Sequence, residues 1–333
     1  YRHHTESRTQ HTVHGTGIQG ACDTHAAVRK CSLLTGWGML KTDKQSQRNT
    51  LFVEDAKILL HDSYPGDQYV LRVHAPECAS HALPGSFAHL QCDSALPMRR
   101  PLSIMRANAG AGWVEFLYKA VGTGTQALTL HRPGTSINLI GPIGKPFVAD
   151  RSRPRTLLLG GGVGIPPMVF LADRLRNDKH WQPVVFMGSE VPFPFTAHPS
   201  RFLLPGMPDA VIAAMPLLED WDIPSRLASQ QGYPGCYEGY ITELARNWLD
   251  ALSASERKEV CVFACGPHPM LAATAALSRE YGLPCQVSLE EFMACAVGGC
   301  AGCVVEINTP AGPAMKRVCV DGPVFDAQSV NWD

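Results

Sequence analysis

Residues 156–170 read TLLLGGGVGIPPMVF, and this stretch decides the fold. A short apolar segment is followed by a run of glycines, and two prolines then open a second apolar segment. Glycine lets the backbone turn sharply, and proline is favoured in the first turn of a helix. The pattern therefore predicts a strand, a glycine turn and a helix, which together begin a βαβ unit in a parallel sheet.

The chain downstream repeats this alternation. The predicted strands and helices of this region are residues 156–159, 166–176, 183–187, 242–252, 260–264 and 268–281. Thr242 is expected to cap the helix that begins with it, because a hydroxyl can accept a hydrogen bond from the first helical turn. Strands that alternate with helices favour a parallel sheet covered by helices.

Upstream of residue 151 the chain is rich in short β-forming segments. They are residues 57–61, 69–74, 114–121 and 137–139. Turn dipeptides such as Pro65-Gly66 and Gly141-Pro142 separate them. Short strands with this punctuation predict a small antiparallel barrel or sandwich.

Composition and charge exclude several classes of protein. The 333 residues include 29 Lys and Arg against 30 Asp and Glu, and this net charge of −1 argues against a protein built to bind nucleic acid or anionic lipid. With 45% hydrophobic and 18% charged residues, the chain can bury a sizeable core. Glycines and prolines interrupt its most apolar stretch, so we expect no membrane span. Twelve cysteines without a secretory leader favour a soluble protein of the reducing cytoplasm.

These segments predict an α+β multidomain chain with four parts. Residues 51–150 form an antiparallel β-barrel domain, residues 151–285 a parallel α/β domain, and residues 286–333 a small cysteine-rich domain. Residues 1–50 lack sustained apolar periodicity and are expected to be a partly disordered extension. The histidines of this extension, with Cys22 and Cys31, fit no tight metal-binding template.

The C-terminal part carries the most specific chemical motif. In CAVGGCAGC, Cys295, Cys300 and Cys303 follow the spacing of a plant-type 2Fe-2S cluster, and Cys319 supplies a fourth thiol. The glycines between them let a short loop wrap closely and aim its N–H groups at the sulfurs. A structural zinc site also uses four thiolates and is the alternative, although such sites favour paired C-x2-C knuckles.

Two loops at the ends of predicted strands suit a dinucleotide. Their candidate binding residues are Gly160, Gly161, Gly162 and Gly164 in the first loop and Cys265, Gly266 and Pro267 in the second. Parallel strands end at the same edge of a sheet, where open α/β folds bind ligands, so both loops are expected there. A tight turn without a ligand is the alternative for the first loop.

Glu190 follows the next predicted strand of the same region. A carboxylate at this position can accept a hydrogen bond from a ribose hydroxyl and would repel a 2′-phosphate, which favours NAD over NADP. The alternative is a solvated loop carboxylate.

The order of motifs along the chain resembles that of the ferredoxin-reductase superfamily. The motifs are RPLS, LYK, GTGT, GPIG, GGGVGIPP, CGPHPM and CAVGGCAGC, from about residue 51 to the C-terminus. The tail sequences SLEEFMACAVGGCAGCVVEI and KRVCVDGPVF are most similar to the cluster domain of the electron-transfer subunits of NAD-dependent dihydroorotate dehydrogenases. The first fifty residues are not covered by the resemblance.

The resemblance implies which residues bind a flavin. Those that would hold FAD are Arg100, Pro101, Leu102, Ser103, Leu117, Tyr118, Lys119, Gly124 and Thr125. Lys119 stands where many relatives carry arginine, and a lysine offers no bidentate contact. The resemblance also places Cys265 near the reacting nicotinamide and flavin atoms, with a buried core thiol as the alternative.

The resemblance implies an activity as well. The chain would be an oxidoreductase subunit with FAD, a 2Fe-2S cluster and NAD(H) as cofactors. Its partner would be an FMN-containing catalytic subunit that oxidises dihydroorotate in pyrimidine biosynthesis, within a heterotetramer. Flavin and iron-sulfur reductase subunits of a sulfhydrogenase, an NADH:ferredoxin oxidoreductase or a monooxygenase are the alternative, because they share the cofactors and differ in the partner.

Overall fold

The computed structural model describes residues 50–332. The predicted extension, with its histidines and Cys22 and Cys31, lies outside the described residues except for Thr50. In residues 50–332, no helix is both long and apolar enough to span a membrane.

Six antiparallel strands close the first domain into a barrel. These strands are β1 (Phe52–Tyr64), β2 (Gln68–His74), β3 (Phe87–Leu90), β4 (Arg100–Asn108), β5 (Trp113–Lys119) and β6 (Ser136–Ile143). Two short helices, α1 (Pro76–His81) and α2 (Thr123–Leu128), contribute side chains to the barrel core. Around the barrel the strands are ordered β1-β2-β5-β4-β3-β6, and every pair is antiparallel.

Alternating side chains explain why these strands close. On β5, Phe116 and Tyr118 point into the barrel core, whereas Leu117 between them packs against the second domain. This period-2 alternation is what a strand with two different faces requires. The barrel predicted from the short β-forming segments is confirmed.

The second domain is a mostly parallel sheet with helices on both faces. The sheet contains β7 (Arg155–Gly161), β8 (Gln182–Gly188), β11 (Ser225–Ser229), β12 (Tyr237–Glu238), β13 (Val260–Cys265) and β14 (Cys285–Ser288). The short strands β9 (His198–Pro199) and β10 (Ala213–Ala214) pair antiparallel in a separate two-stranded sheet. Its helices are α3 (Ile165–Leu175), α4 (Pro216–Asp220), α5 (Ile241–Ala251), α6 (Ala254–Lys258) and α7 (His268–Glu280). A 3-10 turn, Gly162–Gly164, precedes α3.

The two faces of this sheet bury different helices. Leu157 and Leu159 of β7 face the side covered by α5 and α7, and Leu158 faces the side covered by α3. All three leucines are fully buried, which is why this strand reads as an uninterrupted apolar run. The predicted strand, glycine turn and helix at 156–176 are confirmed.

The sequence prediction of Thr242 as a helix cap is wrong. Helix α5 begins at Ile241, and Tyr240 is the residue before its first turn. The Glu243 carboxylate accepts a hydrogen bond from the Tyr240 N–H at 2.9 Å. A glutamate at the third helical position therefore performs the capping that we expected of a hydroxyl.

The cysteine-rich segment is built into both larger domains. It contains the hairpin β15 (Val304–Thr309) and β16 (Gly312–Arg317), followed by β17 (Val324–Asp326), which pairs antiparallel with β14 at the edge of the large sheet. Strand β14 runs three residues past the boundary we expected at residue 285. The segment also shares one hydrophobic core with the parallel sheet.

A second attachment joins the cysteine-rich segment to the barrel. The Lys145 N–H donates to the Gly322 carbonyl at 2.6 Å. Gly144 has φ +95, and a Cβ there would lie 2.3 Å from Cδ of Pro323. The GPIG motif and Lys145 thus contact Gly322 and Pro323, in the part of the chain that follows Cys319.

His89 is a buried histidine in the barrel wall. It lies on β3 opposite Pro101 of β4, and its side chain is fully buried. Neither ring nitrogen has a hydrogen-bond partner within residues 50–332. Burial, followed by the positive charge of Arg99, lowers the pKa of His89 to about 4. The ring is therefore neutral in the folded protein down to that pH.

Replacing His89 by leucine should reduce the loss of stability on acidification. An unfolded histidine takes up a proton near pH 6.5, whereas folded His89 does so only near its lowered pKa, so lowering the pH through this interval favours unfolding. At pH ~4.5 this single group should cost about 2 kcal/mol of the free energy of unfolding relative to neutral pH. Urea titrations at both pH values measure the difference.

The control for this experiment is His74→Leu, which removes an exposed histidine from β2 of the same barrel. It should keep the acid dependence of the wild-type protein. An unchanged dependence in the His89→Leu protein would contradict the assignment.

Candidate functional site

The carboxyl ends of four parallel strands meet at one edge of the large sheet. In the register, Cys265 of β13 lies opposite Gly160 of β7 on one side and Ser288 of β14 on the other. Gly160 in turn lies opposite Met187 of β8. The glycine loop and the CGP loop therefore start from the same edge, as the sequence led us to expect.

Backbone contact joins these two loops directly. A Cβ on Gly164 would lie 2.3 Å from the carbonyl oxygen of Cys265 and 2.5 Å from the Gly266 nitrogen. A Cβ on Gly161 would lie 2.5 Å from the Met270 sulfur and 3.1 Å from Pro267. Since real Cβ atoms do not approach backbone this closely, only glycine fits at position 164, and a side chain at position 161 would displace Met270.

The apex of the glycine loop is open. Gly162 has φ +52, and a Cβ there would have no atom within 4 Å. The loop contacts β5 of the barrel, and the helix that follows it packs against β4. A pyrophosphate approaching this apex would meet backbone N–H groups that helices leave without partners in their first turn.

Cys265 is a neutral, nearly buried thiol at this edge. Only 8% of its surface is exposed, and burial raises its pKa to about 12, with the Ser288 hydroxyl acting weakly in the opposite direction. A thiol with this pKa is protonated at neutral pH and is not a nucleophile. The arrangement suits a side chain that packs against a cofactor or orients it.

Two carboxylates flank the same edge. Glu190 lies two residues after the end of β8. Its side chain is exposed, so its carboxylate can accept a hydrogen bond from a ribose hydroxyl. Glu290 lies two residues after Ser288 and is exposed to solvent, with protein atoms packed around part of its side chain. Desolvation, with the charge of Glu291 adding to it, raises the pKa of Glu290.

On the barrel, the RPLS strand presents two faces. Leu102 points into the barrel core, whereas Pro101 and Ser103 are half-buried on the outer face. Met105 continues that outer face and packs with Leu117 against the glycine-loop side of the large sheet. A flavin ring held against this strand would therefore contact Pro101 and Ser103, and Leu102 only through its backbone.

Tyr118 differs most from its expected place. Its side chain is 1% exposed, and its hydroxyl lies 2.8 Å from Nε2 of His61. Nδ1 of His61 lies 3.0 Å from the His131 carbonyl, which can only accept, so this nitrogen carries the proton and Nε2 accepts from the tyrosine. Burial lowers the pKa of His61, in agreement with a neutral ring. The part of Tyr118 that can face a flavin is its backbone.

Arg100 meets the GTGT motif through a close contact. A Cβ on Gly124 would lie 2.6 Å from Nε of Arg100. The guanidinium donates from Nη1 to the Met98 carbonyl at 2.9 Å and to the Arg99 carbonyl at 3.1 Å, which leaves its other N–H groups for a ligand. The two motifs expected to hold the FAD diphosphate are thus adjacent, and the residues present fit that group.

Thr125 and Lys119 lie beside this contact. The Thr125 hydroxyl accepts from the N–H groups of Val121 and Gly122 at 3.1 and 3.2 Å, so it stabilises the start of α2. Lys119 ends β5 and is half-buried. We expect Thr125 to offer a ligand its backbone N–H and Lys119 to offer a point charge.

The four expected cluster cysteines form two pairs. Cys303 and Cys319 are buried, with 3.3 Å between their sulfurs, and the Cys295 thiol is contacted by both the N–H and the thiol of Cys300. Within residues 50–332, no three potential ligands are grouped so that they could hold one metal ion. Two pairs of thiols suit two irons with two protein thiolates each, whereas a zinc ion needs four around one centre.

The cysteine loop is shaped to direct N–H groups at sulfur. Ala296 and Ala301 have φ values of 56 and 53, an uncommon backbone conformation for residues with a side chain. Burial opposes ionisation of Cys295, but N–H groups of the loop, led by that of Val297, outweigh it and lower its pKa to about 7. Burial and the neighbouring Cys303 raise the pKa of Cys319 to about 12. Metal binding would deprotonate this thiol.

The sequence reasoning overlooked Arg317, which holds the cysteine loop in place. Its Nη1 donates to the Gly298 carbonyl at 2.9 Å, and its own N–H donates to the Asp321 carboxylate at 2.9 Å. The charged pair flanking Cys319 in KRVCVD was the available signal. Glu290 was overlooked for a different reason, since its relation to Cys265 depends on the pairing of β13 with β14.

Known proteins share both the cluster segment and the whole fold. Residues 290–331 match the family model of the iron-sulfur cluster binding domain of dihydroorotate dehydrogenase B. The dihydroorotate dehydrogenase B (NAD(+)) electron transfer subunit of Desulforamulus reducens is 31% identical over 283 residues, covering 84% of this chain and 99% of that protein. The subunit of the same name from Geobacillus thermodenitrificans is 33% identical over 251 residues, with coverage of 74% and 86%.

Among solved structures, an NADH-dependent reduced ferredoxin-NADP oxidoreductase described for flavin-based electron bifurcation superposes with a TM-score of 0.68. It is 25% identical to this chain, and the match covers 84% of this chain and 91% of that one. The ferredoxin reductase of carbazole 1,9a-dioxygenase superposes with a TM-score of 0.54 at 19% identity, covering 70% and 67%, and shows a shared fold.

Gly124→Ala should reduce FAD retention. The added methyl group would displace the Arg100 guanidinium that lies 2.6 Å away, and one charge-assisted contact to a phosphate is worth about 1.5–3 kcal/mol. We therefore expect FAD to bind at least about tenfold more weakly. The ratio of flavin to protein absorbance during dilution and gel filtration measures this.

Gly122→Ala is the matched control, because a Cβ there meets no atom within 4 Å and the backbone is extended. It should retain FAD as the wild-type protein does. Equal FAD affinity in the two variants would remove Arg100 from the flavin site.

Proposed function

Because this chain belongs to the family of electron transfer subunits of dihydroorotate dehydrogenase B (NAD(+)), we propose that it carries electrons from the FMN of a dihydroorotate-oxidising subunit to NAD+. The observation that carries the proposal is the pairing of four thiols in a segment built into both the barrel and the parallel sheet. Three redox sites on one rigid framework suit electron transfer rather than acid-base catalysis.

The cofactors supply the chemistry, and the protein supplies position. When bound, FAD exchanges two electrons as hydride with nicotinamide and single electrons with an iron-sulfur cluster. Dihydroorotate loses two electrons and two protons on the partner to give orotate, and NAD+ gains the equivalent of one hydride. No side chain of this chain has to form a covalent bond in that sequence.

Cys295, Cys300, Cys303 and Cys319 would hold the 2Fe-2S cluster. The N–H groups that lower the pKa of Cys295 also favour the more negative, reduced form of a cluster. Cys300 is exposed whereas Cys303 and Cys319 are buried, so one pair of ligands lies near the surface and the other faces the interior. This asymmetry suits a centre that receives electrons from outside the chain and passes them inward.

Arg100 and Gly124 would hold the FAD diphosphate, and Pro101 and Ser103 would contact its ring on the outer face of β4. The nicotinamide nucleotide would lie over the sheet edge, with its pyrophosphate at the glycine loop and its reacting ring near Cys265. With its thiol protonated, Cys265 would pack against the rings and exclude water without adding to them as a nucleophile. The exposed Glu190 supports a preference for NAD over NADP.

The partner surface that we propose consists of Phe292, Val297 and Cys300, here called the cluster face. Phe292 is 93% exposed and Val297 is 50% exposed, and both lie within eight residues of the exposed cysteine. Large apolar side chains exposed in this way are typical of protein interfaces. Electron transfer weakens steeply with distance, so the catalytic subunit has to approach the cluster here. A heterotetramer with two copies of each chain is the assembly that we propose.

Cys300→Ala should abolish electron exchange with the catalytic subunit and leave FAD reduction by NADH intact. The change removes one thiolate from the cluster, while the flavin and nicotinamide residues lie on β4, β7 and β13. Visible absorbance reports the cluster, and anaerobic stopped-flow at the flavin band reports reduction by NADH.

Cys236→Ala serves as the control, because Cys236 is a half-buried cysteine of the parallel domain that has no assigned role. It should keep both the cluster and the partner reaction. If the folded, FAD-loaded Cys300→Ala protein lost NADH-dependent flavin reduction, the proposed order of carriers would be wrong.

Phe292→Asp should weaken the complex with the catalytic subunit. An aromatic anchor at the centre of an interface contributes about 2 kcal/mol or more, so the dissociation constant should rise at least about thirtyfold. Leu203→Asp, at a side chain that is 99% exposed on the parallel domain, is the matched control and should bind normally. Calorimetric titration with the purified FMN subunit measures both. Normal binding of the Phe292 variant would show that the cluster face is not the interface.

A further inference from the structure

A cavity lies at the edge of the parallel sheet opposite the edge that carries the cofactor loops. Its volume is about 310 Å³, and it is formed where the chain enters β7, β13 and β14. Each of these strands rises about 3.3 Å per residue, so the six residues of β13 separate the cavity from the Cys265 edge by about 20 Å. The cavity is therefore separate from the FAD and nicotinamide sites.

Three cations line this cavity, and no carboxylate does. They are Arg153 before β7 and the pair Arg257 and Lys258 at the end of α6. None of the three has an ion-pair partner within residues 50–332. Like charges placed together without counter-charges repel, so the arrangement is favoured when an anion occupies the space between them.

Three neighbouring carboxylates form no ion pair with the cations of the cavity. Glu256 and Glu259 belong to the same short stretch as Arg257, yet both point away to Arg155, at 3.1 and 3.2 Å. Asp250 accepts the hydroxyl hydrogen bond of Tyr281 at 2.6 Å. Asp150 interacts with the charge of Arg153, so the uncompensated positive charge of the cavity lies mainly at Arg257 and Lys258.

Both guanidinium groups of the cavity donate hydrogen bonds to backbone carbonyls. Nη1 of Arg153 donates to the Val260 carbonyl at 3.0 Å, and Nη1 of Arg257 donates to the Leu249 carbonyl at 3.4 Å. Their remaining N–H groups are free to bind a ligand, and little side-chain entropy remains to be lost. Tyr281 adds an aromatic ring to the lining, anchored through its hydroxyl.

From this geometry we infer that the cavity binds a phosphate-bearing anion no larger than a mononucleotide. Guanidinium groups match the oxygens of phosphate in pairs, and three cations suit a ligand with two or more negative charges. A volume of about 310 Å³ is at the lower end for ligand pockets, which favours a mononucleotide over a dinucleotide. The Tyr281 ring offers a surface on which a base can stack, if the phosphate is carried by a nucleotide.

The test is calorimetric titration of the FAD-loaded protein, saturated with NAD+, with inorganic pyrophosphate and separately with 5′-AMP. Saturation with NAD+ keeps both probes from the cofactor edge. The double variant Arg257→Gln/Lys258→Gln should bind pyrophosphate at least about tenfold more weakly than the wild-type protein, because two charged donors are lost. Arg151→Gln/Lys179→Gln removes the same charge from residues outside the cavity and should bind normally.

The two probes distinguish the sources of phosphate. Tighter binding of 5′-AMP than of pyrophosphate, lost in Tyr281→Leu, supports a nucleotide ligand. Equal binding that Tyr281→Leu leaves unchanged supports a free phosphate or polyphosphate. Circular dichroism and FAD content confirm that each variant is folded. Absence of binding to the wild-type protein, or wild-type affinity in the Arg257→Gln/Lys258→Gln variant, would overturn the inference.

Discussion

The close approach of two backbones at the edge of the parallel sheet is the constraint on which the cofactor site depends. At Gly164 there is no room for a Cβ, since the Cys265 carbonyl would lie 2.3 Å away. This contact brings the loops after β7 and β13 together and starts α3 in the direction that packs it against β4 of the barrel. A Cβ at this position would force the two loops apart at the edge where the flavin and nicotinamide surfaces are expected to meet.

Much of the fold could be predicted from local patterns in the sequence. The apolar run before the glycines and the helix after CGPHPM lie where periodicity and turn residues placed them. The short strand β3 and the proline-containing strand β4 carried weaker signals, because four residues show little alternation and proline disfavours most strand positions. The helix cap at Tyr240 was missed, since the capping group is the Glu243 side chain one turn later.

The candidate site was predicted in part. Spacing selected Cys295, Cys300 and Cys303, with Cys319, as candidate ligands, and the fold brings these four cysteines together as two pairs. The orientation of Tyr118 was not predictable, since a strand residue can face either side of a barrel until the barrel is closed. Glu290 and Arg317 depend on contacts between distant segments. The contact of the GPIG motif with Pro323 likewise joins distant segments and had no signal in the local sequence.

Strand β17 has a consequence for how the protein avoids self-association. Without it, β14 would end the large sheet with unpaired N–H and C=O groups, a ready template for pairing with another chain. The strand that covers this edge begins five residues after Cys319 and is held beside the barrel by Gly322 and Pro323. Iron loading and protection of the sheet edge therefore rest on the same short segment. Displacement of this segment would expose the edge of β14, so the stretch that carries the last cysteine also keeps the sheet from pairing with a second chain.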